Sequence, residues 1–158
     1  MRVGITGHRG LPDPVAHEVH RLLTEKAKAY GPSSQLVAVS CLADGPDAWW
    51  ADIVLDAGGT LEAVVPAEEY RSGLPDWHHP HYDTLLARAD RVHHTGLTGS
   101  TAQAHQTGSE ILVDRSDELV AVWDGLPARG FGGTADVVTY ARRTGTPVTV
   151  LWPDGASR

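Results

Sequence analysis

Residues 119–143 read LVAVWDGLPARGFGGTADVVTYARR, and this stretch decides the fold. The apolar run Leu119–Trp123 predicts a buried strand, Gly130–Thr134 a glycine-rich loop, and Ala135–Arg143 a helix. Glycines let a ligand approach the main chain closely, and the first amide groups of a helix are unpaired and carry a partial positive charge. The order strand, loop, helix therefore predicts a site for a phosphate or carboxylate, with Thr134 as the N-cap. Taken alone, such a turn is also compatible with plain loop closure.

The same alternation of strand and helix extends along the whole chain. Apolar runs predict strands at 2–6, 36–41, 60–65, 91–94, 119–123 and 147–152. Helical spacing predicts five helices between them. Asp13 is expected to cap the first helix, and residues 31–34 are expected to end it. Gly145 is expected to follow the last helix. Since unbroken apolar strands indicate a sheet covered on both faces, we predict one three-layer Rossmann-like α/β domain over 1–158. Its open, mostly parallel sheet has about six strands with helices on both faces.

Composition limits the classes of partner. The chain has 158 residues, a formal net charge of −7 and a sequence pI of about 5.6. Because phosphate backbones and anionic membranes select basic surfaces, we expect no nucleic-acid partner and no membrane partner, so that any phosphate site is local. The single cysteine excludes an intramolecular disulfide, and the N-terminal apolar run is too short for a secretory signal. These features predict a cytoplasmic protein.

Polar or glycine-rich loops follow three of the predicted strands. Right-handed crossovers place the loops that follow parallel strands at one edge of the sheet, where ligands bind in such folds. We therefore predict a small-molecule site at that edge. Its predicted ligand-binding residues are Thr6, Gly7, His8, Arg9, Asp44, Gly45, Asp124, Gly125, Arg129, Gly130, Gly132, Gly133 and Thr134.

Several of these side chains have two interpretations. Arg9 is predicted to clamp a phosphate with its planar guanidinium, with Arg129 as the rival cation; otherwise it forms a surface salt bridge. His8 either donates to the same ligand or caps its own loop. Asp44 either contacts a ribose hydroxyl or caps the helix that follows it. Asp124 either binds sugar hydroxyls or acts as a base, or it holds the turn after its strand.

The histidine cluster His78, His79 and His81 and the pair His93-His94 suggest a metal site only superficially. The first group lies in a proline-rich segment, and no cysteine pair or His–Glu helix motif accompanies either group. We therefore predict no metal and no cofactor.

Three further residues are assigned to packing. Trp49 is predicted to pack in the core, and Trp50 at the surface of a dimer. Cys41 is predicted to be a small buried hydrophobic residue, since nothing near it in the sequence would activate a nucleophile.

A combination of short motifs carries a resemblance to a known family. These motifs are Gly4-Ile-Thr-Gly-His-Arg9, Leu42-Ala-Asp-Gly45, Val122-Trp-Asp-Gly125, and Gly132-Gly-Thr134 before Tyr140-Ala-Arg142 and Pro147-Val148. They resemble the SLOG superfamily of Rossmann-like proteins, which includes the LOG phosphoribohydrolases, the DNA-uptake protein DprA and the YpsA-like group. The similarity extends from Val3 to Trp152. It implies a Rossmann-like fold, a homodimer or higher homo-oligomer, and a nucleotide or nucleotide-derived ligand over the glycine-rich turn.

The chain departs from the LOG pattern at one position. LOG enzymes carry Pro-Gly-Gly-x-Gly-Thr-x-x-Glu, and Val137 stands at the position of that glutamate. Asp136 is one residue too early, which is about 100° of rotation on a helix. We therefore favour a binding or sensing module for a nucleotide or phospho-sugar. The alternative is hydrolysis of the N-glycosidic bond of a nucleoside monophosphate, with Asp124, Asp136 or Asp44 as the carboxylate. A purely structural dimer would leave the polar loops unexplained.

Overall fold

The fold was analysed in a computed structural model that describes residues 1–32 and 35–158. Its six strands form one sheet with the order β4-β3-β2-β1-β5-β6, and every neighbouring pair is parallel. The strands are β1 Arg2–Gly7, β2 Val37–Ser40, β3 Thr60–Val65, β4 Arg91–His94, β5 Glu118–Val122 and β6 Val148–Leu151. The predicted Rossmann-like α/β sheet of about six strands is therefore confirmed.

Five helices connect the strands: α1 Asp13–Ala29, α2 Pro46–Asp56, α3 His79–Arg88, α4 Ala102–Asp114 and α5 Thr134–Thr144. The chain moves outward from β1 through β2 and β3 to β4, then returns to β5 on the other side of β1. Right-handed connections therefore place α1, α2 and α3 on one face and α4 and α5 on the other. Consistently, α1 packs on α2, α2 on α3, and α4 on α5.

The return from β4 to β5 creates the switch point that locates the candidate site. The loops after β1 and β5 diverge towards opposite faces there, and a crevice opens between them at the carboxyl edge of the sheet. No helix within the described ranges is long and apolar enough to cross a bilayer.

Two predicted helix caps are wrong. The N-cap position of α1 is Pro12 and that of α5 is Gly133, and no side chain caps either helix from these positions. Thr134 is instead the first residue of α5. Asp136, inside the first turn, accepts a hydrogen bond from the Gly132 N–H at 2.9 Å, so its carboxylate bonds the loop before the helix rather than an amide of the first turn.

The sequence signal for the C-terminal end of the last helix was more reliable than the N-cap signals. Gly145 follows α5 with φ 85° in the left-handed region, as predicted. The turn predicted to end the first helix includes residues 33 and 34, which lie outside the described part of the chain.

The two adjacent tryptophans exchange their predicted environments. Trp50 is fully buried, and its indole N–H donates to the Val3 carbonyl at 3.1 Å, which ties α2 to β1. Trp49 is only partly buried and lies beside His20 of α1. The prediction that placed Trp49 in the core was therefore wrong, because one residue on a helix is enough to exchange the inner face for the outer one.

A buried carboxylate joins the middle of the sheet to its flanks. Glu62 of β3 is 3% exposed and accepts hydrogen bonds from Arg2 Nε at 2.5 Å, His93 Nε2 at 2.9 Å and Arg115 Nε at 3.1 Å. Burial opposes ionisation, but these donors lower the pKa of Glu62 to about 2. The cluster therefore links three strands and the end of α4 through one charge.

We predict that Glu62→Gln destabilises the protein at pH 7, because it removes the negative charge that Arg2 and Arg115 share. Both arginines are partly exposed, which limits the expected loss of stability to roughly 1–3 kcal/mol. The folded pKa of Glu62 lies below its ordinary value of 4.5, so its contribution is complete above that pH and is lost as the pH falls towards 2. Urea unfolding of both proteins between pH 2.5 and 7 measures this as a difference that shrinks with acidification. An equal difference at all pH values would contradict the prediction.

Candidate functional site

A cleft of about 350 Å³ opens at the switch point, between the loop after β1 and the loop before α5. Nine of the thirteen predicted ligand-binding residues line it: Thr6, Gly7, His8, Arg9, Arg129, Gly130, Gly132, Gly133 and Thr134. Asp44 and Gly45 line a second, neighbouring cleft, while Asp124 and Gly125 line neither. The fold therefore brings together most of the predicted set.

Close contacts with α4 and within the loop itself explain two glycines of the glycine-rich loop. Gly132 has φ 85°, and a Cβ added there would lie 2.8 Å from the backbone oxygen of Ala102. A Cβ at Gly133 would lie 2.9 Å from the Cβ of Ala128 in the same loop. A larger residue at Gly133 would therefore deform the loop itself.

The start of α5 is open to an anion. Among the described residues, the N–H groups of Gly133, Thr134 and Ala135 have no acceptor, and the Thr134 hydroxyl makes no hydrogen bond. Three amides at the positive end of a helix, on a loop that lines the cleft, are the groups that bind a phosphate oxygen.

Arg9 does not stand free in the cleft. Its Nε and Nη2 lie 3.0 and 2.6 Å from Oδ1 of Asp44, so the two loops after β1 and β2 are joined by an ion pair. Asp44 is buried, whereas the Arg9 side chain is 46% exposed. Asp44 is not the N-cap of α2, because Gly45 occupies that position with φ 94°. Arg9 therefore forms the salt bridge that was one of its two interpretations. Its guanidinium nevertheless borders the cleft.

His8 and Asp124 form a buried group with Arg158. Arg158 Nε lies 2.8 Å from Asp124 Oδ2, and its Nη1 lies 3.1 Å from His8 Nδ1. Because a guanidinium only donates, Nδ1 accepts from Arg158. His8 Nε2 lies 3.2 Å from Asp124 Oδ1 and 3.2 Å from the backbone nitrogen of Asp124. Burial and the charge of Arg158 lower the pKa of His8. His8 is therefore a neutral residue at pH 7 that holds Asp124 rather than a free cation.

The carboxylates proposed for catalysis are occupied elsewhere. Besides His8 and Arg158, Asp124 accepts the N–H of Leu126 at 2.9 Å, so it holds its turn. Asp136 accepts the Gly132 N–H. Val137, at the position of the LOG glutamate, is buried and does line the cleft. The place where LOG enzymes carry a carboxylate is therefore apolar here.

Asp47 is the carboxylate that sequence reasoning missed. It lies in the first turn of α2, lines the cleft and is partly buried. Burial raises its pKa to about 7 from an ordinary 3.8, although an N–H from Ala43 and the charge of Arg9 act in the opposite direction. In the sequence it resembles an ordinary acidic residue of a first helical turn. The feature of the sequence that could have identified Asp47 is its position directly after the loop that follows β2, at the ligand edge of the sheet.

Two aromatic residues distant in sequence, Tyr70 and His105, form a further part of the cleft wall. His105 of α4 packs edge-on against Tyr70 with ring centroids 5.6 Å apart, and its Nε2 lies 2.7 Å from the Ser100 hydroxyl. Burial and Arg9 lower the pKa of His105, and burial raises that of Tyr70. Tyr70 comes from the segment after β3 and is 6% exposed, so this part of the segment is a wall of the cleft.

The loop between β2 and α2 is held in an unusual conformation. Leu42 is fully buried and has φ 61°, in the left-handed region that a branched residue rarely adopts. Its N–H donates to the Ser40 hydroxyl at 3.0 Å, and its carbonyl accepts from His78 Nε2 at 2.9 Å. These bonds fix the loop that carries Asp44 to Arg9. His78 is thus a positioning residue for the loop.

The other histidines of the cluster also have local partners. His79 Nε2 lies 3.1 Å from the Leu74 carbonyl, and His81 Nε2 lies 2.9 Å from Asp52 Oδ2. Within the described ranges, no three His, Cys, Asp or Glu side chains are grouped to hold a metal ion. Cys41 is buried as predicted, and burial raises its pKa.

No protein-family model and no curated protein sequence matches the chain. Solved structures do match its fold. DprA from Streptococcus pneumoniae aligns with a TM-score of 0.71 and 19% identity over 99% of this chain, which spans only 52% of that protein. The molybdenum cofactor binding protein from Rippkaea orientalis aligns with a TM-score of 0.62 and 19% identity over 97% of this chain and 77% of that one.

A third similar structure is DprA from Helicobacter pylori, described for its single-stranded DNA binding mode. It aligns with a TM-score of 0.67 and 15% identity over 99% of this chain and 68% of that one. The predicted resemblance to the SLOG superfamily is therefore confirmed at the level of the fold. The expected homodimer and the cytoplasmic location stay predictions.

The exclusion of nucleic acid was wrong. It rested on the net charge of −7, but a protein with this fold binds single-stranded DNA. The physical reason is that a phosphate interacts with nearby charges, because charges beyond about 8–10 Å are screened in solution. Three arginines, Arg9, Arg129 and Arg158, border the cleft of this acidic chain.

We predict that Asp47→Asn stabilises the protein at pH 8 but not at pH 4. A carboxyl whose pKa rises from 3.8 to about 7 on folding makes stability fall as the pH rises through that window, and the cost is complete above pH 7. At pH 8 we expect a gain of roughly 2–4 kcal/mol, reduced by partial exposure. Urea unfolding of parent and variant from pH 4 to 8 measures the gain. A pH-independent difference would contradict the raised pKa.

Proposed function

We propose that the cleft binds a phosphorylated nucleotide or nucleotide-derived ligand, with its phosphate at the start of α5. The observation that carries this proposal is the set of three amides at Gly133, Thr134 and Ala135 that have no acceptor among the described residues. Arg129, which has no carboxylate partner in that same part of the chain, lines the same cleft. Backbone amides fix the position of an oxyanion, and a guanidinium supplies a charge-assisted contact. The Thr134 hydroxyl adds a further donor.

Arg129 is the cation best suited to this role. Arg9 is paired with Asp44 and Arg158 with Asp124, whereas Arg129 makes no ion pair with any carboxylate of the described residues. A phosphate would have to compete with Asp44 for Arg9, but it would meet Arg129 unopposed. We therefore now expect Arg129 to contribute more than Arg9, the reverse of the order suggested by the sequence.

The nucleotide class is supported by three observations. The cleft of about 350 Å³ is large enough for more than an inorganic anion. It lies at the switch point, where Rossmann-like folds bind nucleotides. The similar H. pylori protein binds single-stranded DNA, whose repeating unit is a nucleotide.

We predict that Arg129→Ala weakens binding of adenosine monophosphate at least tenfold, because it removes an unopposed charge-assisted contact of roughly 1.5–3 kcal/mol. Arg9→Ala should weaken it less. The matched control is Arg88→Ala, which removes the same charge from the exposed end of α3, outside both clefts, and should leave binding unchanged. Isothermal titration calorimetry measures all four proteins.

Two further ligands distinguish the sources of the phosphate. Titration with a single-stranded oligonucleotide, with and without a terminal phosphate, separates a nucleotide site from a DNA site that uses the same groups. The proposal fails if neither the mononucleotides nor the oligonucleotides bind. It also fails if Arg88→Ala weakens binding as much as Arg129→Ala does, since the effect would then be that of net charge alone.

The hydrolytic alternative is disfavoured by the buried Val137 and by the hydrogen bonds that occupy Asp124 and Asp136. We predict no release of free base when nucleoside monophosphates are incubated with the protein, because loss of a transition-state carboxylate costs about 10²–10⁴ in rate. Chromatography of the reaction measures the base. Rapid release that Asp47→Asn abolishes would overturn this prediction and identify Asp47 as the acting carboxyl group.

A further inference from the structure

A second cleft of about 290 Å³ adjoins the first on the side of α1 and α2. The Arg9–Asp44 ion pair forms the boundary, since Arg9 lines the first cleft and Asp44 the second, with 2.6 Å between Nη2 and Oδ1. Gly45 lies directly against the loop after β1: a Cβ added there would be 3.8 Å from the Arg9 Cα. The two clefts are therefore neighbours on either side of this pair.

The second cleft is bordered by two indole rings, those of Trp49 and Trp77. Trp77 is 74% exposed and rests edge-on against the buried His78, with ring centroids 5.7 Å apart. Exposure of so large an apolar ring at the mouth of a cleft is a typical feature of a surface that receives a partner.

The hydrogen bonds of the tryptophans separate these two from the rest. Trp50, Trp123 and Trp152 each donate the indole N–H to a backbone carbonyl, at 3.1, 2.8 and 3.0 Å. Among the described residues, no acceptor meets the indole N–H of Trp49 or Trp77. The two rings that border the second cleft are therefore the two whose polar atom is left available.

Besides these indole N–H groups, the second cleft has two carboxylates that can accept hydrogen bonds, those of Asp13 and Asp44. Asp13, in the first turn of α1, is exposed and makes no ion pair within the described ranges. Asp44 uses Oδ1 for Arg9, and its Oδ2 accepts no hydrogen bond from the described residues. Carboxylates beside aromatic rings suit a flat ring that carries an amino group, such as adenine, guanine or cytosine. They disfavour a second phosphate.

We propose that this second cleft is the base subsite of the nucleotide site, in which an amino-bearing nucleobase stacks on Trp77 and Trp49 and donates to Asp13 or Asp44. The inference rests on the proposed function, because it extends the same ligand from the phosphate end across the Arg9–Asp44 pair. It adds a specificity that the phosphate cleft does not provide, namely discrimination between bases.

The test compares adenosine monophosphate, inosine monophosphate and ribose 5-phosphate on the parent, Trp77→Ala, Trp77→Phe and Asp13→Asn. In the parent, the adenine nucleotide should bind about tenfold or more tightly than ribose 5-phosphate, and more tightly than the inosine nucleotide, which lacks the amino group. Trp77→Ala should remove the advantage over ribose 5-phosphate, and Trp77→Phe should keep much of it. Asp13→Asn should narrow the gap between the adenine and inosine nucleotides. Calorimetry measures the affinities, and thermal melting checks that each variant folds.

The outcomes separate this inference from the proposed function. Ribose 5-phosphate binding as tightly as adenosine monophosphate to the parent overturns the base subsite and leaves the phosphate site standing. Unchanged binding of adenosine monophosphate by a folded Trp77→Ala protein also overturns it. Absence of binding by all three compounds overturns both.

Discussion

The pairing of β1 with β5 is the constraint on which the site depends. Gly7 and Val122 are partners at the carboxyl ends of these strands, and the N–H of His8 continues the pairing by donating to the Val122 carbonyl at 3.1 Å. Because β2 pairs with the other side of β1, the loops after β1, β2 and β5 end within reach of one another. The ion pair of Arg9 with Asp44, and that of Arg158 with Asp124, then connect loops that the sequence keeps far apart.

These ion pairs also explain why net charge was a poor guide to partners. Asp44 and Asp124, which lie at the ligand edge, are each matched with a guanidinium group. A phosphate that enters the cleft meets the residual charge of Arg129 and the amides of α5, rather than the average of the surface. The sum of charges over 158 residues contains no information about this arrangement.

Much of the fold could be predicted because it depends on local patterns. β3 matches its predicted range, and β5 begins one residue before its own, since an apolar run bounded by turn residues has few alternatives in a parallel sheet. The caps failed because their geometry depends on contacts such as that between Asp136 and Gly132, which compete with the preferred N-cap pattern. Asp47 and His105 were missed because they reach the cleft from two different segments, and burial rather than sequence gives them their properties.

Two features that lower the free energy of unfolding lie close together, in the segment 42–47 between the two clefts. Leu42 adopts a left-handed conformation, and Asp47 is held where ionisation is unfavourable; each lowers the stability of the folded chain. Ser40 and His78 maintain this geometry, Ser40 by accepting the Leu42 N–H and donating to the Asp47 carbonyl, and His78 through the Leu42 carbonyl. The segment that contains both features also carries Asp44. Its retention between Arg9 and Trp49 is understandable if the loop has to present Asp44 to one cleft and Asp47 to the other, so that both clefts belong to one binding site.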